Sequence, residues 1–137
     1  MGHVHIKATV KGARGEQELD GILVDTGASY TVLPTELVER VGALKTPYTV
    51  DLELGDGRTI KASVYVASIR VEDREGPAII ASFRGAKQVL GIQTLEALGL
   101  KVDPRLGKLE PTRPKGLAYF YSYFARSLDR RRYYKAD

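Results

Sequence analysis

The sequence predicts an all-β fold, mainly strands with two short helices, and three observations predict it. Polar and apolar residues alternate without a break from His3 to Lys11, and further alternating stretches are separated by Gly, Pro and Asp turn signals. Within residues 1–111 apolar residues recur at helical spacing in only two short places. At 137 residues the chain makes one domain and has no room for two lobes.

The first strand spans His3 to Lys11, with Val4, Ile6, Ala8 and Val10 on one face, as a half-buried strand requires. Gly12 to Gly15 make a turn, and a second strand runs from Glu16 through Ile22, Leu23 and Val24 to Asp25-Thr26-Gly27. After the short apolar run Thr31-Val32-Leu33, Pro34 is placed to be a first helical residue. Leu37, Val38 and Val41 continue that helix and Gly42 caps it. From Tyr48 to Val66 alternating strands flank Gly55-Asp56-Gly57, a strong hairpin signal. Ser63 to Val71 and Ala78 to Phe83 read as two strands joined by a charged turn that ends in Gly76-Pro77. Val89-Leu90-Gly91 opens a second helix, Ile92 to Leu98, which Gly99 stops. Leu100 to Val102 and Lys108 to Glu110 are short strands around a turn at Asp103 to Gly107.

Composition closes many functional classes. The chain is 43% hydrophobic and 28% charged, enough to bury a core. It has no cysteine, which excludes disulfides, thiolate metal sites and thiol nucleophiles. No apolar run approaches the roughly 20 residues of a membrane helix, and the charged N-terminus lacks a signal peptide's apolar stretch. A cytoplasmic protein with no membrane partner is the expectation. His3 and His5 share a strand face, but two imidazoles near a terminus make a poor metal site and read as surface residues.

The net charge of +4 is unevenly placed: residues 1–111 carry a net −1 and residues 112–137 a net +5. The same tail holds 7 of the 11 aromatic residues. The chain therefore divides into a near-neutral body, residues 1–111, and a basic, aromatic extension, residues 112–137. Leu117, Phe120, Tyr121, Phe124 and Leu128 fall on one helical face, so the extension reads as a helix packed on the body or on a partner subunit. Nucleic-acid binding through Arg130-Arg131-Arg132 beside Tyr133-Tyr134 is the weaker reading.

The chemistry concentrates in Ile22-Leu23-Val24-Asp25-Thr26-Gly27-Ala28-Ser29. No Gly-x-Ser-x-Gly elbow, His-Glu-x-x-His, phosphate loop or dinucleotide fingerprint is present. A carboxylate directly after three apolar residues costs free energy to bury unless it is hydrogen-bonded or paired. Gly27 permits a close backbone approach, while Thr26 supplies a hydroxyl to lock the loop and backbone N–H groups to hold the carboxylate. Alone, an Asp-Thr-Gly is equally a strand-ending turn.

The context lifts it above that. This stretch, with Tyr30-Thr31-Val32-Leu33 after it, resembles the active-site segment of retropepsin-like aspartic proteases, the family of the retroviral proteases. The second half of the signature, an apolar-apolar-Gly element before a short helix, is matched by Val89-Leu90-Gly91 and Ile92 to Leu98, and the flap position falls on the Leu54 to Arg58 tip. The resemblance spans about residues 4–111 and implies a retropepsin-like closed or partly open β-barrel carrying a single Asp-Thr-Gly lobe.

It also implies an aspartic endopeptidase. That chemistry needs two carboxylates on one water, and 137 residues supply one Asp-Thr-Gly, so the site is expected at the twofold axis of a homodimer, with Asp25 from each chain. Two such neighbours cannot both ionise and titrate as a coupled pair, the arrangement general to aspartic proteases. Thr26 would brace the two loops. Gly27 and Ala28 would lie along a peptide or protein substrate, and Gly55, Asp56 and Gly57 would form the lid. Leu23, Val32, Val89 and Lys87 are candidate pocket walls, and no metal or cofactor is called for. Where retroviral members pair an acid after Asp-Thr-Gly-Ala with an Arg after the later Gly, this chain has Ser29 and Ile92, so a dimer must be held differently. A peptide-binding dimer without turnover, motivated by the charged tip, and a nucleic-acid-associated module, motivated by the tail, are the alternatives.

Overall fold

The computed structural model describes residues 3–118. The expected tail helix, from Tyr119 onward, and the Arg130-Arg131-Arg132 cluster lie outside the described residues. Among those described, nine strands and two helices follow in the order β1 (Val4–Gly12), β2 (Gly15–Val24), β3 (Thr31–Pro34), α1 (Thr35–Val41), β4 (Leu44–Glu53), β5 (Thr59–Val71), β6 (Arg74–Phe83), β7 (Val89–Leu90), α2 (Ile92–Leu98), β8 (Leu100–Asp103) and β9 (Lys108–Pro111).

Seven strands form one sheet in the order β1-β2-β7-β3-β6-β5-β4, and β1 also pairs with β5. Six strands thus close into a ring, with β4 added outside β5. Closure removes the edges that an open sheet would leave unpaired. Two parallel pairs, β2 with β7 and β3 with β6, sit among antiparallel ones. β8 and β9 make a separate hairpin. Val10, Ile22, Leu33, Val38, Ile69, Ile80, Leu90 and Leu95 are fully buried in one core. The fold is the mainly β, retropepsin-like architecture, and its sheet is partly ring-shaped.

Five boundaries differ from the sequence reading, each for a local reason. The two strands expected to meet near Ser63 to Val66 are one unbroken strand, β5, because β4 pairs along its first part and β6 along its second. Pro34 is the last residue of β3 and the N-cap of α1, not its first residue: φ is −68° but ψ is 148°. Proline fixes only φ, and parallel pairing with Phe83 of β6 holds the residue extended. β4 begins at Leu44, four residues before Tyr48, and passes Pro47 through a register shift between Lys45 and Thr49. An edge strand tolerates proline, and there the Thr46 hydroxyl donates to the Val64 carbonyl at 2.7 Å. β6 begins at Arg74, so Gly76 and Pro77 lie inside a strand, and the turn is Glu72-Asp73, with Glu72 at φ 56°. β6 meets β3 only from Ile80 onward, which leaves Pro77 free of a ladder on that side. Val89 and Leu90 form β7 and do not open the second helix, because β2 and β3 flank them.

α1 ends against the first hairpin turn. Ala13 and Arg14 donate backbone N–H groups to the Gly42 and Val41 carbonyls at 3.0 and 2.9 Å, satisfying groups that a helix end leaves open.

Candidate active site

β2 carries the chain to Asp25 and β7 fixes where it stops. Leu23 and Val24 pair in parallel with Val89 and Leu90, and the Asp25 N–H donates to the Leu90 carbonyl at 3.0 Å. Beyond Val24 the side chains emerge from the core: Val24 is buried while Asp25, Thr26 and Gly27 are exposed. The Gly27 N–H donates to Asp25 Oδ1 at 2.9 Å, and the Ala28 N–H donates to the Asp25 carbonyl at 3.1 Å, closing the turn. One carboxylate oxygen is thereby oriented by the backbone while the other is left for outside partners. The Thr26 hydroxyl, expected to lock the loop, has no hydrogen-bond partner among the described residues.

The loop rests on α2. The Ile92 and Gln93 N–H groups donate to the carbonyls of Ala28 and Ser29 at 2.8 and 3.2 Å, so the open first turn of α2 is spent on the loop that carries Asp25. Gly91 makes this approach possible: a Cβ there would lie 2.3 Å from the Tyr30 carbonyl oxygen and 2.9 Å from that of Ala28. Behind the loop runs a buried polar chain. The Gly91 N–H donates to Thr31 Oγ1 at 3.2 Å, and Thr31 Oγ1 is 2.6 Å from Thr94 Oγ1. Thr94 donates to Gln93 Oε1 at 3.4 Å, which also accepts the Ile79 N–H at 2.9 Å. Sequence reasoning did not find Thr31, Thr94 or Gln93. Thr31 and Thr94 are 63 residues apart, and only the Gly91 element, which was read, hints that the two segments meet.

The predicted wall residues Leu23, Val32 and Val89 come together. Val89 pairs with Leu23 on one side and Val32 on the other, so the three form a row across β2, β7 and β3. All three are half-buried, and their sequence neighbours Val24, Leu33 and Leu90 point into the core. By the two-residue strand period Asp25 follows Leu23 on the row's side. Lys87 is exposed in the loop before β7.

Gly55, Asp56 and Gly57 stand apart, exposed at the tip of the β4–β5 hairpin. Its hydrogen bonds are internal. The Leu54 N–H donates to the Arg58 carbonyl at 2.7 Å and the Gly57 N–H to the Leu54 carbonyl at 2.9 Å. Asp56 accepts from the Arg58 N–H at 3.0 Å and from its Nε at 2.7 Å. These two bonds, the backbone one foremost, hold the Asp56 carboxyl below its ordinary range. Gly57 has φ 88°, which only glycine adopts readily.

The model for gag-polyprotein aspartyl proteases matches residues 7–97. The chain belongs to the retroviral-type aspartyl protease family. The matched span holds Asp25 to Gly27, the β4–β5 hairpin, β7 and nearly all of α2. No curated protein matched the chain. Within this aspartyl protease domain, no cluster of three or more His, Asp or Glu side chains suited to a metal occurs among the described residues, and His5 lies exposed on β1 with His3 just before it. No helix among them is long and apolar enough to cross a membrane. A cavity of about 700 Å³ lies between β1, the β5–β6 turn and the start of β9, and none of the predicted site residues lines it.

Proposed function

We propose that the chain is an endopeptidase that works as a homodimer, each subunit giving Asp25. The observation that carries this reading is the Asp25 loop itself: one carboxylate oxygen is oriented by the Gly27 N–H, and the group is exposed beside an apolar row. One carboxylate cannot both take a proton from water and give one to the scissile carbonyl oxygen. With Asp25 of the partner subunit opposite it, the ionised member takes the water proton as the water oxygen bonds to the carbonyl carbon. The protonated member then donates to the carbonyl oxygen. In the second step the proton held by the first passes to the amide nitrogen while the second takes a proton from a hydroxyl of the tetrahedral intermediate; the C–N bond breaks to leave an acid and an amine, and the dyad returns to its shared-proton state.

The substrate is an extended peptide. Leu23, Val32 and Val89 supply apolar contact for its side chains, and Gly27 with Ala28 lets its backbone approach. Gly55, Asp56 and Gly57 close over it as a lid that excludes water. Because Asp56 and Arg58 neutralise each other, the tip offers chiefly main-chain groups and little net charge. Thr26, exposed and facing no described partner, is the natural brace between the two loops across the axis. A cleft of this kind has half its wall on each subunit.

Asp25→Asn is expected to lower kcat by at least about 10³-fold while leaving the dimer and peptide affinity intact. A mimic with a hydroxyl in place of the scissile carbonyl should bind the wild type far more tightly than substrate does. Cleavage that survives in Asp25→Asn contradicts the assignment. Peptide binding by the wild type with no cleavage between pH 3 and 7 supports a silent peptide-binding dimer instead.

A further inference from the structure

The far end of α2 is held in an unusual way. Gly99 caps it in the left-handed conformation, and the Glu96 carbonyl accepts the Gly99 N–H at 3.1 Å. The Leu98 and Gly99 carbonyls accept from Arg74 Nη1 at 3.0 and 3.1 Å. The Ala97 carbonyl accepts from Arg113 Nη2 at 3.0 Å, and Arg113 Nε donates to the Leu117 carbonyl. Arg74 Nη2 donates in turn to the Arg113 carbonyl at 2.8 Å, and the Thr112 N–H donates to the Gly99 carbonyl at 2.8 Å. Two guanidinium groups therefore clamp the negative end of one helix dipole. The packing leaves no slack: a Cβ on Gly99 would lie 2.9 Å from Arg74 Nη1 and 3.0 Å from Arg113 Cγ.

Arg113 lies outside residues 7–97, the span matched by the family model, and stands at the entry to the basic extension. Its clamp grips a helix of seven residues, only about 10 Å long. The opposite end of that helix holds the Ala28 and Ser29 carbonyls of the Asp25 loop. Two turns of helix are too short to absorb a loosened end by bending, so motion released at Ala97 to Gly99 reaches Ile92 and Gln93.

We propose that Arg113 is a positioning residue for the Asp25 site: it fixes the C-terminal end of α2, and α2 fixes the loop. Thr112 and Arg113 are then a working addition to the protease domain. The inference rests on the reading of Asp25 as the catalytic carboxylate.

The test compares Arg113→Ala and Arg113→Lys with wild type and with Lys115→Ala, which removes only the exposed Lys115–Asp73 pair at 3.7 Å. Amide hydrogen exchange of the full chain is read at Ile92 and Gln93, and kcat, KM and the pH–rate profile are measured on a peptide substrate. Arg113→Ala should speed exchange at both amides at least about tenfold and lower kcat about tenfold with KM within about twofold. It should also displace the two apparent pKa values of the profile, since loop spacing sets the coupling of the carboxylates. Arg113→Lys, which keeps the charge without the fork, should recover part of each effect, and Lys115→Ala should match wild type. Faster exchange confined to Gly99 and Thr112, with Ile92, Gln93 and the pH profile unmoved, overturns the proposal. If the wild type cleaves no peptide but exchange at Ile92 and Gln93 still responds to Arg113→Ala, the latch stands and the catalytic reading falls.

Discussion

Gly91 and Gly55 have opposite reasons for being glycine. Gly91 is demanded by the chain itself, since a Cβ would press into the Tyr30 and Ala28 carbonyls, which are backbone and cannot swing aside. Gly55 is not: a Cβ there meets nothing within 4 Å. Gly91→Ala should therefore cost several kcal/mol, in the range of about 2–4 seen for forced overpacking and lost backbone hydrogen bonds, and lower the thermal midpoint. Gly55→Ala should leave stability within about 0.5 kcal/mol and instead raise KM for peptides, because what needs the space is a bound backbone. Calorimetry and kinetics on the pair separate the two reasons, and a large loss of stability in Gly55→Ala would contradict this account. Asp25 itself was legible in sequence from the apolar run before it and the Thr-Gly after it. Its hydrogen bond to the Gly27 N–H also follows from those residues, whereas the support from Gly91 and Thr31 depends on a segment some sixty residues away.

At the scale of elements, the β4–β5 tip carries its own closure. The Arg58 N–H and guanidinium hold the Asp56 carboxyl below the ordinary value of 3.8. A depressed folded pKa means that the tip gains from the charged form above that ordinary value and loses the gain only as pH falls through the lower one. The hairpin tip thus keeps this closure on the acid side down to the lowered value. The Arg58 amide resonance should titrate with a midpoint below 3.8 in wild type, and that titration should vanish in Asp56→Asn. A midpoint at or above 3.8 would show that the tip is not held this way. The elements were largely readable from alternation and turn residues. The misplaced edges are instructive: Pro34 and Pro77 read as boundaries in the sequence, yet Pro34 ends a strand and Pro77 lies inside one, as Pro47 does in β4. Proline excludes one hydrogen bond, and whether that bond was needed depends on which neighbour lies alongside.

For the whole molecule, a single Asp25 per chain has a consequence in concentration. Activity per chain should fall on dilution through the dimer dissociation constant and become second-order in protein below it, while a monomer would keep constant specific activity. Rate measurements over a thousandfold range of concentration distinguish the two. A steep dependence is expected, because the charged pair that joins subunits in retroviral members is replaced by Ser29 and Ile92. The sequence by itself determined the mainly β class, most of the order of elements, the family signature and the candidate carboxylate Asp25, all of which are local patterns of spacing and side-chain type. Only the tertiary structure decided that β1 closes on β5, that Leu23, Val89 and Val32 form one row, and that Arg74 and Arg113 clamp the helix beneath Asp25. Those are contacts between segments far apart in the chain, fixed by which strand lies beside which, and no local periodicity encodes that choice.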